Sequence, residues 1–433
     1  MLLGKIEQIF KIKELRNKLL FVLGIFAIFR VISNIPMPGI NPERMQLFFE
    51  ELGMLRFASA LTGGALDRFS IIMLGLGPYI TAVIVMQLIT MIIPALERMQ
   101  KEEGEAGRQK INQYGRLLTI PFAFIQGYGM LFLFQREGVV NLMTPIQLII
   151  SLFTIVAGTV LLMWLGELIT EKGIGNGVSL LIFAGIIAGF PTNIYQMILS
   201  IIDYPGAVQS YILLFLMVLF IIFGVVFFNE ARRNIPVSYA KRVRGKKMYG
   251  GASTYLPLNL NPAGVIPIIF AFSIAFLPSM IGQFLTGIGG FVGLTATFIV
   301  ELFNNLWILG SVIFVLVFFF TYFYTAITFN PQNIAENLQK MGGFVPGIRP
   351  GTSTVKHLSY TLNRTLFLGG LFLAIVAIMP WIIQGLIQLI TGEVIEGFQF
   401  LIGGASVLII VSVVLETIKQ IKAELQMRDY EAF

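Results

Sequence analysis

The sequence predicts an all-α polytopic membrane protein with ten transmembrane helices. Of its 433 residues, 56% are hydrophobic and only 12% are charged. The mean hydropathy of +0.83 excludes an ordinary soluble domain. Bilayer hydrocarbon requires about 20 apolar residues for each helical span. Ten such segments occur, at about 19–36, 70–93, 117–135, 146–168, 178–199, 210–229, 262–286, 302–328, 362–390 and 398–420.

The charges of the connecting segments predict how the chain is oriented in the membrane. Alternate loops, counted together with both termini, hold 24 Lys and Arg, whereas the intervening loops hold four. Because cytoplasmic loops carry the excess of basic residues, we expect both termini in the cytoplasm. The first apolar run follows basic residues as in a secretory signal. Arg30 interrupts it and no small-residue cleavage pattern follows, so we expect a retained span.

Two connections on the basic side are longer than a turn requires. The first, about 230–261, holds seven of the basic residues and Glu230 as its only acid. The second, about 329–361, is broken by Pro and Gly and contains His357, the single histidine, which we interpret as solvated. These insertions predict a docking surface, and the simpler alternative is that their charges only set the topology.

One connection on the opposite side is too polar to span and too apolar for a free loop. It covers residues 41–68 and ends in an amphipathic piece broken at Gly63 and Gly64. Non-helical backbone at membrane depth survives where it is buried in protein or lines a wet cavity. A half-helix entering a cavity and an interfacial helix on the outer surface remain equal alternatives.

Charged side chains are missing from the middle of the spans, which argues against ion-coupled transport. An apolar constriction would resist ion flow by dewetting, although the same residues could simply be packed core. Cysteine is absent, and no nucleotide-binding or hydrolase motif occurs. The glycines at 173, 175 and 177 predict a tight turn with close backbone approach. Ten spans also permit an inverted repeat of five and five.

Four stretches in order along the chain carry a resemblance to a known family. They are GGALDRFSIIMLGLGPYITAVIVMQLIT, GELITEKGIGNGVSLLIFAGIIAG, NEARRNIPVSYAKRVRGK with STYLPLNLNPAGVIPIIFA, and IRPGTSTVKHLSYTLNRTLFLGG. With them, essentially the whole chain resembles the SecY family of protein-conducting channels. The resemblance implies two pseudo-symmetric halves, 1–205 and 206–433, around a central hourglass pore that a plug helix at about 55–67 closes.

The resemblance also implies roles for individual residues. The pore ring would consist of Leu76, Ile80, Val178, Ile182, Ile269 and Ile409; the family favours isoleucine, from which Leu76 and Val178 depart. The plug would include Leu55, Phe57, Leu61, Gly63, Gly64, Leu66 and Asp67. A lateral gate between spans 2–3 and 7–8 would be lined by Thr81, Gln87 and Gln126. Docking would use Arg232, Arg233, Lys241, Arg242, Arg244, Lys246, Lys247 and Arg349.

The implied partners are the small membrane subunits SecE and SecG, the motor ATPase SecA, the ribosome, the unfolded preprotein with its signal peptide, and the lipid bilayer. The implied location is a bacterial inner membrane, with no catalysis, cofactor or metal. Two other classes of protein are alternatives. A secondary transporter would show saturable uptake of a small solute, and a membrane-embedded enzyme such as a lipid transferase would need a clustered acid, base or metal site.

Overall fold

The ten predicted spans all coincide with helices. The computed structural model describes residues 12–38, 44–45, 59, 62–141, 143–203, 207–239, 242–244, 247–249, 253–285, 290–391 and 404–431. The span helices are α1 (Lys13–Ser33), α2 (Gly77–Ile92), α4 (Gly104–Arg136), α5 (Pro145–Lys172), α6 (Gly177–Asp203), α7 (Ala207–Glu230), α8 (Ile266–Leu285), α10 (Leu306–Thr328), α12 (Thr352–Thr391) and α13 (Gly404–Glu431). Shorter helices lie between them: α3 (Pro94–Glu102), α9 (Phe291–Asn304) and α11 (Pro331–Lys340).

Length and hydropathy show which of these helices could cross a membrane alone. Within the described residues, six helical segments are long and apolar enough to cross a membrane alone. A seventh span results if Gly77–Ile92 and Pro94–Gln100, which meet at a bend of 106°, are counted together. The bend falls just before Pro94, where the proline ring disfavours a continuous helix. Helix α1 is less apolar because Arg16, Lys18 and Arg30 interrupt it.

The second span begins later than its apolar run. Apolar residues extend from position 70, but residues 62–76 form successive turns and helix α2 starts at Gly77. Pro78 lies in the first turn of α2, where its fixed φ and missing N–H are tolerated. The turns therefore place non-helical backbone directly before a membrane helix.

The first long insertion contains β structure that the all-α prediction for the spans did not include. Strand β1 (Arg232–Tyr239) pairs antiparallel with β4 (Ser253–Asn259), in a register running from Arg232↔Asn259 to Ser238↔Ser253. Strands β2 (Arg242–Arg244) and β3 (Lys247–Tyr249) form a smaller hairpin between them. Strand β5 (Gly343–Phe344), from the second insertion, adds to β1.

The two insertions share one small hydrophobic core. It contains Ile235 and Leu258 from the sheet, Ala335 from α11, and Val345 and Leu358 from the second insertion and the start of α12. The pairing of β5 with β1 adds backbone hydrogen bonds to this contact. The described parts of the insertions therefore fold together into one unit, which we call the docking unit after its predicted role (the described residues of 232–259 with 331–358).

The glycine-rich segment before α6 forms the predicted tight turn. Gly175 adopts φ +92°, and the Gly177 N–H donates to the Thr170 hydroxyl at 2.9 Å. A Cβ at Gly177 would lie 1.8 Å from the carbonyl oxygen of Gly166. The prediction of a tight turn with close backbone approach is confirmed, and the turn determines where α6 starts.

Candidate functional site

The six residues predicted for the pore ring belong to one apolar cluster. Leu76, Ile182 and Ile409 are buried in it, and Ile80, Val178 and Ile269 pack against it while remaining partly exposed. Helices α6, α8 and α13, and α2 together with Leu76 directly before it, contribute these side chains. Two of these helices come from each predicted half, so the cluster joins the two halves.

Helical periodicity places the ring residues of α2 and α6 on single faces. Leu76 precedes the first residue of α2, and the Ile80 N–H donates to its carbonyl at 2.9 Å. Val178 and Ile182 are likewise four positions apart in α6 and point the same way. Helix α8 packs against α2 and helix α13 packs against α6, which brings Ile269 and Ile409 toward the same cluster.

The plug segment is described in part. Leu55, Phe57 and Leu61 lie outside the described residues, whereas 62–67 form turns. Gly63 and Gly64 both adopt left-handed φ values, +72° and +78°. Leu66 is buried in a second apolar cluster with Met37, Phe69 and Phe134, and Asp67 is exposed. The burial around Leu66 favours the interior position over an interfacial helix on the outer surface.

Gly63 lies against two span helices. An added Cβ there would lie 3.1 Å from the Gly185 Cα of α6 and 3.3 Å from the Phe29 ring of α1. The backbone at Gly63, in the predicted plug segment, thus lies against α6, which is the helix that carries Val178 and Ile182. At Gly64 an added Cβ would meet nothing within 4 Å.

The predicted gate residues form a polar contact between α2 and α4. The Gln126 side-chain amide of α4 donates to the Thr81 hydroxyl of α2 at 3.4 Å, and that hydroxyl donates to the Gly77 carbonyl at 3.0 Å. The Gln87 Oε1 atom is buried without a hydrogen-bond partner among the described residues. Helix α8 packs against both α2 and α4, so a seam between the halves runs beside this contact.

The basic residues predicted for docking lie on or beside the docking unit. Arg232 and Arg233 are exposed on β1, and Arg242, Arg244 and Lys247 belong to the β2–β3 hairpin, where Arg244 pairs with Lys247. Lys241 and Lys246 lie outside the described residues. Arg349 is exposed after β5, and its carbonyl accepts a hydrogen bond from the Thr354 hydroxyl at 3.0 Å.

A polar network at the base of the docking unit was not predicted from the sequence. The Asn229 side chain of α7 donates to the Ser412 hydroxyl of α13 at 2.6 Å and accepts from Asn261 at 3.0 Å. Lys419 of α13 pairs with Glu230 at 2.8 Å. The network joins the two ends of the first insertion and ties them, through Asn229 and Glu230, to α13, the helix that carries Ile409. The sequence feature that could have indicated this network is an asparagine at each end of the first insertion, Asn229 and Asn261.

Comparison with known proteins decides the family. The SecY family model matches residues 70–418. The protein translocase subunit SecY of Streptomyces galbus is 41% identical to the chain over 446 aligned residues, which cover 100% of both sequences. The chain belongs to the SecY family.

Other SecY proteins and solved channels agree with this assignment. The SecY subunit of Thermotoga maritima is 40% identical, with 99% of this chain and 96% of that protein covered. The solved structure of a protein-conducting channel superposes with a TM-score of 0.60 at 18% identity, covering 93% of this chain and 91% of the other. Sec61 from the canine ribosome–channel complex of the endoplasmic reticulum gives a TM-score of 0.58 over 93% of the chain.

Membership of the SecY family makes the chain a multi-pass membrane subunit that forms the channel of a protein translocase. The apolar cluster, the buried turns and the docking unit described above are thus features of a channel subunit. The residues that perform each part of this function are proposed below.

The two plug glycines provide a matched test of packing at the channel. Gly63→Ala and Gly64→Ala introduce the same left-handed strain, roughly 1–2 kcal/mol, but only Gly63→Ala also pushes a methyl group toward Gly185 and Phe29. We expect Gly63→Ala to increase the ion conductance of the idle reconstituted channel more than Gly64→Ala does. Equal conductance in the two variants would contradict a role in channel closure for the close packing of Gly63, in the predicted plug, against α6.

Proposed function

We propose that unfolded polypeptide crosses the membrane through the ring of Leu76, Ile80, Val178, Ile182, Ile269 and Ile409. The observation that carries this proposal is that α2 packs against α8 and α6 against α13, and that the six side chains all belong to the large apolar core that these helices share. Residues 55–67 act as the plug of the idle channel. The contact of Gly63 with α6 supports this role.

The chemistry of the ring suits a seal that must accept many sequences. Aliphatic side chains hold one another by dispersion contacts that are individually weak, so an entering chain can displace them without breaking hydrogen bonds. A narrow apolar ring also repels ions, since water leaves such a constriction readily. The protein itself catalyses no reaction in this proposal, and the energy for movement comes from a partner or from the membrane potential.

Membrane-protein helices leave sideways through a lateral gate beside α2, α4 and α8. Thr81, Gln87 and Gln126 provide a weakly polar lining there, with the Thr81–Gln126 bond as its described contact. A signal peptide opens the gate by binding the open state more tightly than the closed one. Once released, its apolar surface is stabilised by lipid.

The docking unit receives the partners on the cytoplasmic side of a bacterial inner membrane, where both termini also lie. SecA and the ribosome are the partners this surface fits, and SecE and SecG complete the membrane complex. The basic side chains would attract the anionic RNA of a ribosome in a salt-dependent way. A solved relative of the fold is itself a ribosome–channel complex, which supports the proposal.

Charge reversal within the second insertion tests the docking proposal. Arg349→Glu removes a predicted contact, and Lys340→Glu makes the same charge change nine positions away at the end of α11. We expect Arg349→Glu to weaken SecA or ribosome binding to reconstituted vesicles about tenfold or more, as for loss of a charged hydrogen-bonded contact. If Arg349→Glu binds as tightly as Lys340→Glu and the parent do, Arg349 contributes only to the orientation of the chain in the membrane.

The absence of cysteine allows a direct test of the polypeptide path. Ile182→Cys introduces a single thiol in the ring, and a stalled secretory precursor supplies one cysteine in its translocating stretch. We expect a disulfide between them because the precursor passes within contact distance of Ile182. Ile187→Cys, on the same helix but 41% exposed, is the control position and should give no adduct.

The outcome that contradicts the proposal is the absence of adducts at Ile182, Ile80 and Ile269 in membranes that still export the precursor. Saturable uptake of a small solute by the purified protein would then favour the secondary-transporter alternative.

A further inference from the structure

Arg30 is a charged residue that neither the ring nor the docking unit uses. It lies in the last turn of α1, inside an otherwise apolar run, and its side chain is half-buried. A positive charge in the last turn of a helix is favoured by the helix dipole. That effect accounts for tolerance of Arg30 at this site but does not determine where its guanidinium points.

The guanidinium of Arg30 contacts the plug segment. Its Nη1 atom donates a hydrogen bond to the Gly63 carbonyl oxygen at 3.0 Å. A hydrogen bond from a charged donor is shorter and stronger than one between neutral groups. The neighbouring residue Phe29 presents its ring to the same glycine. One turn of α1 therefore provides both an apolar wall and a charged donor to Gly63.

Other described bonds join α1 and its exit to the chain that follows the predicted plug. The Ser70 hydroxyl donates to the Ile32 carbonyl at 2.9 Å, and the Met37 N–H donates to the Phe69 carbonyl at 2.9 Å. The Arg68 guanidinium donates to the Asn34 side chain. These contacts anchor residues 68–70 to the exit of α1, whereas Arg30 contacts position 63, within the plug.

We propose that Arg30 is a latch that holds the plug segment in its closed position. This inference rests on the proposed function, because it assumes that residues 55–67 seal the idle channel. When the plug leaves, the Gly63 carbonyl is withdrawn and the guanidinium must find water or another acceptor. Its hydrogen bond therefore stabilises the closed state over the open one, and Arg30 acts as a positioning residue for the plug.

The latch predicts that removing the guanidinium makes the idle channel leak. In planar bilayers containing the purified complex without precursor, Arg30→Gln should raise the fraction of time spent open roughly tenfold, the scale of one lost hydrogen bond to a charged group. Arg30→Lys keeps the charge and a donor but not the planar fork, so its leak should lie between that of Arg30→Gln and that of the parent.

Arg364→Gln is the matched control for the loss of charge. Arg364 lies near the start of the apolar part of α12, and its guanidinium stacks 4.4 Å above the Tyr360 ring rather than against the plug. This variant should leave the idle conductance unchanged. A leak in Arg364→Gln equal to that in Arg30→Gln would overturn the latch, because loss of any charge would then suffice.

Deletion of residues 57–67 separates a latch from a general role of Arg30 in folding. In that background the Gly63 carbonyl is gone, so Arg30→Gln should add no further conductance, as expected for two changes that act on one interaction. An equal added leak in the deleted chain would overturn the proposal, as would an Arg30→Gln channel that stays as tight as the parent. Precursor crosslinking at Ile182 in the same membranes tests the channel path separately, so failure of the latch and failure of the proposed function give different results.

Discussion

Contact between apolar side chains of residues 1–205 and 206–433 is the interaction on which the rest of this structure depends. Lipid tails are as apolar as leucine, so helices in a membrane are held together by close packing and by occasional polar contacts rather than by exclusion of water. Here α2 packs against α8 and α6 against α13, and the six residues proposed for the ring belong to the large apolar core that these helices share. A seal of this kind can yield to a passing chain and close again without a chemical step.

The turns before α2 show how irregular backbone is maintained beside such a cluster. Several backbone groups of residues 62–76 are paired within the segment: the Ser70 N–H donates to the Ala65 carbonyl at 2.8 Å, and the Gly75 N–H to the Ile72 carbonyl at 2.8 Å. Others are paired with α1 and the residues after it, as the Phe69 carbonyl is with the Met37 N–H. Backbone at membrane depth is stable only when its polar groups find such partners. Residues 62–76 are therefore a distinct irregular element that is hydrogen-bonded to α1 and the residues after it.

Much of this architecture could be predicted from the sequence because bilayer thickness and loop charge are strong constraints. The ten spans and the tight turn before α6 follow from apolar length and glycine spacing, whereas the sequence left the position of the segment around Leu66 open between two alternatives. The β4–β1–β5 sheet was missed because apolar and polar residues alternate only briefly in its strands, within loops whose basic residues dominate the pattern. The Arg30–Gly63 and Asn229–Ser412 bonds could not be predicted, since each joins residues that are distant in sequence and brought together by helix packing.

The most direct test of the account is a cryo-electron-microscopy structure of the assembled channel with a stalled precursor. The account predicts polypeptide density through the centre of the ring, in contact with Leu76 and Ile182 on one side and with Ile269 and Ile409 on the other. Precursor density that passes outside this cluster, while α2 and α6 remain packed against α8 and α13 as in the idle structure, would contradict it.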